Sequence, residues 1–324
     1  MDRPATETSP LVVGGEARRR AELTGYAMMA ASAAAFVTMS VCTKALVRAG
    51  MAPMEVVFAR SVVQLALGLL GCAWFGASPA GPRGVRRWLV VRGACGAAGN
   101  ALFFYALSVL PLADATVVFF TGPVFSALFA SWVLGEPYTA VDRTASALCM
   151  FGIVLVAKPS VLFHSAPLAA AAAADADAAA ASGTVAALVG AMSGALAYCV
   201  VRKVGTAVHF IVHVVYFGLL SLAASTALLA LWGGPRRLPQ SPAEWALAGA
   251  VGAAAFAGQV LLNRALQLAP AGPATLMRNL DVVFAFALGV ALFGEIPDAL
   301  SVAGAATIVA STAAMGLHRW HTAR

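Results

Sequence analysis

The chain has 324 residues, of which 61% are hydrophobic and only 11% charged, with a mean hydropathy of +0.85. An ordinary soluble domain carries about 25% charged residues, so this chain lacks the polar groups to cover a water-facing surface, and lipid is its expected solvent. The net charge of +7 does not point to nucleic acid, because no clustered basic helix, zinc-ligand spacing or aromatic RNA-binding box accompanies it.

Residues 1–23 place Arg18, Arg19 and Arg20 beside Glu16 and Glu22, with Pro4 and Pro10 nearby. That mixture predicts a disordered cytosolic tail, not the apolar core of a cleaved signal peptide. A bilayer-spanning helix needs about 20 apolar residues. Windows of that length predict an all-α integral membrane protein with ten transmembrane helices, near 24–46, 54–76, 86–109, 113–134, 140–158, 183–204, 210–232, 243–266, 273–293 and 299–317. The breaks coincide with Pro53, Pro79 and Pro82, Pro111, Pro137, Pro159, Pro235 and Pro239, Pro270 and Pro273, and Pro297. Proline lacks an amide donor and disfavours helix in the residue before it, so it sits comfortably at helix ends. Residues 159–182 are alanine-rich but contain Asp175 and Asp177, which makes a span there costly. They are expected to form an inter-repeat linker, and 318–324 a second cytosolic tail. The five cysteines stand singly in apolar runs and read as small buried hydrophobes.

One stretch occurs twice. Residues 100–136 align without a gap on 259–295 at a constant offset of 159, with ten of 37 positions identical. Pro111/Pro270, Thr116/Thr275, Gly135/Gly294 and Glu136/Glu295 are among them, and apolar composition alone does not supply these in register. Each copy reads as an apolar helix, a proline-marked turn, a second apolar helix and a Gly-Glu exit. The phrase PLADATVVFFTGPVFSALFASWVLGE (111–136) and the order of elements resemble the EamA-type domain of the drug/metabolite transporter superfamily, closest to its solute-carrier 35 G-like members. The resemblance covers roughly 24–317. It implies two five-helix repeats, 24–158 and 183–317, and a substrate drawn from amino acids, metabolites, nucleotide sugars or organic phosphates.

Five helices per half is an odd number, so the second half enters the membrane from the opposite side and the repeats are inverted. Twelve Lys/Arg fall in loops and tails on the N-terminal side and four on the other. The positive-inside rule therefore places both termini in the cytosol. Arg236 and Arg237 run against the pattern.

Ionisable groups at membrane depth cost several kcal/mol and face a cavity or one another. Five basic residues fall in or at the edge of spans: Lys44, Arg60, Arg92, Arg264 and Arg278. Thr275, Arg278 and Asp281 lie one turn apart and share a helix face. Asp281 is a ligand for an amine or a coupling proton, or else one member of an internal ion pair with Arg278. Gln259, Asn263 and Gln267 repeat at four-residue steps, and Asn100 is the repeat equivalent of Gln259. These are either a cavity wall or interhelical glue. Phe119, the repeat equivalent of Arg278, offers aromatic surface to an apolar part of a solute. The candidate solute-binding set is thus Arg278, Asp281, Asn263, Gln259, Asn100, Arg60 and Phe119.

Gly93, Gly96 and Gly99, and Gly190 and Gly194, recur at helix-packing intervals. Gly-Glu at 135–136 and 294–295 is expected to end one helix and favour the N-terminus of the next. Gly122-Pro123 predicts a break in the first half alone. His209 and His213 have i, i+4 spacing but no evident third metal ligand. With no nucleophile elbow, Walker loop or paired glutamates, neither an enzyme nor a cofactor is expected. The reading is a secondary carrier of a small organic solute, anionic or zwitterionic, in a lipid bilayer. Its rival is a non-transporting polytopic membrane protein.

Overall fold

The computed structural model describes residues 10–110, 115, 118–157, 173–232, 237–293 and 298–322. Pro111, Asp114, Thr116, Arg236, Gly294 and Glu295 lie outside them, as does most of the expected linker.

Among the described residues the chain is entirely helical. The first half contains α1 (Pro10–Arg48), α2 (Pro53–Trp74), α3 (Arg86–Val109), α4 (Gly122–Leu134) and α5 (Ala140–Ala157). The second half contains α6 (Ala173–Val204), α7 (Phe210–Trp232), α8 (Pro242–Leu268), α9 (Ala271–Met277), α10 (Leu280–Phe293) and α11 (Ala299–Thr322). Six helices, α1 to α3 and α6 to α8, contain stretches long and apolar enough to cross a membrane. Large apolar side chains point outward, with Trp74, Trp132 and Leu231 all more than four-fifths exposed, as expected where lipid is the solvent.

Two ends extend further than expected. α1 starts at Pro10, so 10–23 of the expected tail are helical, helped by an Arg18–Glu22 pair at 3.1 Å one turn apart. α6 starts at Ala173, so the end of the expected linker continues into the next span, consistent with the helix preference of alanine.

The break expected only in the first half occurs in both. Phe120 and Thr121 interrupt the helix before α4, and Arg278 and Asn279 separate α9 from α10. At the repeat offset of 159 these turns nearly coincide. In the first, the Thr121 hydroxyl donates to the Val118 carbonyl at 2.6 Å. In the second, Arg278 N–H bonds Thr275 O at 3.2 Å and Asn279 N–H bonds Leu276 O at 3.0 Å. These three-residue closures tighten the end of α9, so Gly-Pro is not required for the second interruption.

Packing explains why the halves form one body. The largest contacts all join one half to the other, and they occur as exchanged pairs: α1 with α8 and α3 with α6, α1 with α10 and α4 with α6. α2 pairs with α7 and α5 with α11, each with its counterpart. This is the contact pattern of a pseudo-twofold axis. Glycine sets the close approaches. A Cβ on Gly99 would stand 2.8 Å from Gly190 O and 3.2 Å from Gly194 N, and one on Gly152 would stand 2.8 Å from Gly304 O. The glycine stripes are therefore packing surfaces between halves.

Candidate functional site

α3 carries Arg92 into the centre of this interface. Its side chain is 1% exposed, and its Nη2 donates to Gln259 Oε1 at 2.7 Å and Asn263 Oδ1 at 3.2 Å, both on α8. Asn263 Nδ2 in turn donates to the Gln259 carbonyl at 2.8 Å, which fixes its oxygen toward the guanidinium. Arg92 also lies over the Phe217 ring of α7, 4.8 Å from its centroid. Gly96, one turn along α3, makes room: a Cβ there would come within 2.9 Å of the ring and 3.2 Å of Arg92 Nη1.

Arg60 on α2 approaches the same ring at 5.9 Å and donates to Met39 Sδ on α1 at 3.8 Å. Among the described residues neither arginine has a carboxylate partner, and Nε and Nη2 of Arg60 and Nε and Nη1 of Arg92 are buried without a hydrogen bond. A buried cation left unpaired costs several kcal/mol, so the arrangement calls for a compensating group.

Arg278 and Asp281 form a second centre at the break between α9 and α10. Arg278 Nε stands 3.7 Å from Asp281 Oδ2, too long for a hydrogen bond. Arg278 Nη1 donates to the Tyr198 hydroxyl of α6, and its guanidinium covers Phe36 of α1 at 4.6 Å. Asp281 Oδ1 and Asn279 Oδ1 are buried without a hydrogen bond. The two centres meet along α1, where Phe36 under Arg278 and Met39 against Arg60 are three residues apart.

The remaining candidates are placed elsewhere. Phe119 does not oppose Arg278 but packs on Phe103, with centroids 4.2 Å apart; the rings near Arg278 are Phe36 and Tyr198. Asn100 does not meet Gln259 but lines a crevice with Met54, Phe104, Ser221 and Ser225. Gln267, last of the α8 stripe, joins chain segments, its Nε2 donating to the Gly205 and Val208 carbonyls, each at 2.8 Å. The Thr275 hydroxyl bonds back to Ala271 O at 2.8 Å. His209 packs at a tilt against Phe75 and Phe210, whereas His213 is fully buried with neither ring nitrogen hydrogen-bonded.

Residues beyond the candidate set complete both centres. Arg92 had a sequence signal as one of five cations within spans, but its partners on α8 lie 167 and 171 residues away. Phe217, Phe36 and Tyr198 had none, being aromatics in apolar runs.

Both ends of the bundle are tied. At one end Arg202 Nε donates to Glu136 Oε1 at 2.6 Å, and the Ala271 amide donates to Glu136 Oε2 at 2.8 Å. Glu136 thus serves the N-terminus of α9 in the other half, not the helix that follows it. That following helix has its own cap, because Thr139 and Asp142 exchange hydrogen bonds at 2.9 and 3.3 Å. Gly135, in the left-handed conformation at φ 68°, turns the chain as expected. At the opposite end Arg237 N–H donates to Glu55 Oε1 at 2.5 Å, and Arg237 Nη2 donates to Glu244 Oε1 at 3.1 Å. Its Nη1 also donates to the Ala49 carbonyl. Arg237 departs from the loop-charge pattern because it fastens α7–α8 to α1–α2.

The apolar helices and the polar seam buried between the two halves define a multi-pass membrane protein. Two segments, 23–158 and 181–317, match the EamA-like transporter family, and the chain belongs to that family. It is 32% identical over 241 residues to solute carrier family 35 member G1 of Homo sapiens, covering 74% of this chain and 65% of that protein. It is 30% identical over 230 residues to the pseudopaline exporter CntI of Pseudomonas aeruginosa, covering 70% of this chain and 74% of that one. A solved structure, 19% identical, superposes with a TM-score of 0.75 over 94% of this chain and 98% of its own, and shares the fold. Both of these protein relatives are named for transport.

Proposed function

We propose that the protein is a secondary carrier that moves a small organic solute, anionic or zwitterionic, by alternating access between two inverted five-helix repeats. In this reading 24–158 and 183–317 are the repeats, α9 and α10 form one broken span, and the stretch from Ala115 to Leu134 forms its counterpart, for ten spans in all. Residues 159–182 connect the repeats on the outer face, and both termini are cytosolic.

The observation that carries the reading is Arg92, a buried guanidinium held across the two repeats with no acid beside it among the described residues. Discontinuous helices near a repeat interface are a recurrent place for solute and ion sites, and the Arg278–Asp281 centre lies at such a break. Asp281, with one buried oxygen lacking a hydrogen bond, is the residue suited to an amine or a coupling proton. Arg202–Glu136 joins the halves at one end and the Arg237 amide joins Glu55 at the other, contacts that an alternating-access cycle would break in turn. An organic solute agrees with what the name of the pseudopaline exporter says of that protein.

A thermal-shift screen of the purified protein against a metabolite panel tests it, since a ligand that binds only the folded state raises Tm. Stabilisation by anions or zwitterions is expected. Stabilisation by cations alone would remove the anionic reading.

A further inference from the structure

Two buried charges approach the Phe217 ring. Arg60 and Arg92 come from different helices, α2 and α3, yet their guanidinium carbons lie 5.9 and 4.8 Å from the same ring centroid. Their side chains are buried, at 8% and 1% residue exposure. Neither forms an ion pair among the described residues. The carboxylates with described partners are engaged elsewhere: Glu22 with Arg18, Glu136 with Arg202, Glu244 with Arg237, Asp281 with Arg278, Glu55 with the Ala52 and Arg237 amides, Asp142 with Thr139 and Asp298 with the Ser301 amide.

The free hydrogen-bonding capacity is mostly donor. Four guanidinium nitrogens, two on each arginine, lack partners, as does Nε2 of Gln64, which lies one turn beyond Arg60 on α2 and is 1% exposed. His213, one turn before Phe217 on α7, has both ring nitrogens unpartnered. Side chains four apart on a helix share a face, so Arg60 with Gln64, and His213 with Phe217, present their groups to one region. Gly96 keeps that region open, because a side chain there would strike both Phe217 and Arg92 Nη1.

We infer that Arg60 and Arg92, set about Phe217, bind the solute's negative charge as a pair, and that the solute carries two negative charges. The argument is one of charge balance. A monoanion would leave one buried guanidinium uncompensated, at a cost of several kcal/mol; a dianion neutralises both. Arginine presents several N–H donors in a rigid plane suited to carboxylate and phosphate oxygens, and the Phe217 ring face attracts both cations. This assigns the anionic role to Arg60 and Arg92, and leaves Arg278, already facing Asp281, outside it. The inference rests on the inter-repeat seam being the solute site.

Calorimetric titration of the purified full-length protein in detergent with malonate, succinate and inorganic phosphate tests it, using the monoamides of the two dicarboxylates as matched monoanions. At least one dianion is expected to bind, and a dicarboxylate that binds should do so about tenfold or more tightly than its own monoamide, the ratio for one charged hydrogen-bonding contact. If phosphate alone binds, raising pH from 6 to 8, which converts its monoanion to the dianion, is expected to tighten binding. Arg60→Gln and Arg92→Gln should each remove that preference, while Arg143→Gln, at an exposed position on α5, should keep it.

Monodisperse elution shows which variants remain folded. For a variant that does not elute cleanly, the wild-type comparison of dianion with monoanion still decides. Equal binding of the two, wild-type preference in folded Arg60→Gln, or no binding of any dianion at millimolar concentration would overturn the inference. If liposomes containing the protein take up a monoanion or zwitterion equally in wild type and both variants, the paired site fails while the carrier reading stands.

Discussion

Arg92 of the first repeat donates to Gln259 of the second at 2.7 Å, a charged hydrogen bond that crosses the axis relating the halves. The pairing is asymmetric, because the glutamine leaves two guanidinium nitrogens unsatisfied. Gln259→Leu is expected to destabilise the protein by about 1.5–3 kcal/mol, the worth of a hydrogen bond to a charged group. Adding Arg92→Leu removes the orphaned cation, so the double variant should be more stable than Gln259→Leu alone. Thermal unfolding in detergent compares them, and a double variant less stable than the single would count against an uncompensated charge at Arg92.

The end formed by Glu136 and Arg202 gives a prediction about opening. Glu136→Gln keeps an acceptor for the Ala271 amide and removes the ion pair. The partly exposed pair, with side chains 16% and 25% exposed, contributes about 1 kcal/mol after solvent screening. Its loss should raise the population open at that end about fivefold. A cysteine introduced at Ala274 should then label faster in the variant, and unchanged labelling would show that the pair does not hold that end closed.

Asp281→Asn is expected to abolish or uncouple transport while expression stays near normal, because this acid keeps a buried oxygen without a hydrogen bond and meets Arg278 only at 3.7 Å. If the acid serves only to neutralise Arg278, removing both charges should restore activity. Full transport by Asp281→Asn from pH 5 to 8 would take the residue out of the site.

Packing yields a prediction independent of any solute. A methyl group at Gly99 would meet the Gly190 carbonyl at 2.8 Å, and backbone cannot yield as a side-chain tip does. Gly99→Ala should cost about 1–3 kcal/mol, whereas Gly194→Ala, whose added Cβ meets nothing within 4 Å, should cost far less. Equal melting temperatures for the two would contradict the α3–α6 contact.

Topology is tested through Ala172→Cys. In the proposed orientation, with the positive loops in the cytosol, this residue lies on the opposite face, so an impermeant reagent applied outside should modify it. Modification from the cytosolic side alone would invert the scheme.

The helical bundle was legible in the sequence because lipid demands long apolar stretches and proline marks their ends. α3 runs from Arg86 to Val109 and α7 from Phe210 to Trp232, the limits expected from those signals. The second helix break was not legible, since Arg278-Asn279 carries no Gly or Pro. Its cause lies in tight backbone closures that apolar periodicity does not register. The site was legible in part. Spacing along one helix brought Gln259 and Asn263 together, and Arg278 with Asp281. It had no means of showing that Arg92 and Arg60 would share one ring, because Phe217 is a further apolar residue in a chain full of them. Glu136 shows the same limit: its sequence neighbour is α5, but its partners Arg202 and Ala271 belong to the other repeat.

Counterflow in liposomes containing the purified protein measures the central claim most directly. A ligand found to raise Tm is loaded inside, and entry of the labelled ligand from outside is followed in wild type and Arg92→Gln. Carrier action through the inter-repeat seam predicts transient accumulation in wild type and its loss in the variant; binding without accumulation, or equal accumulation in a folded Arg92→Gln, would contradict it.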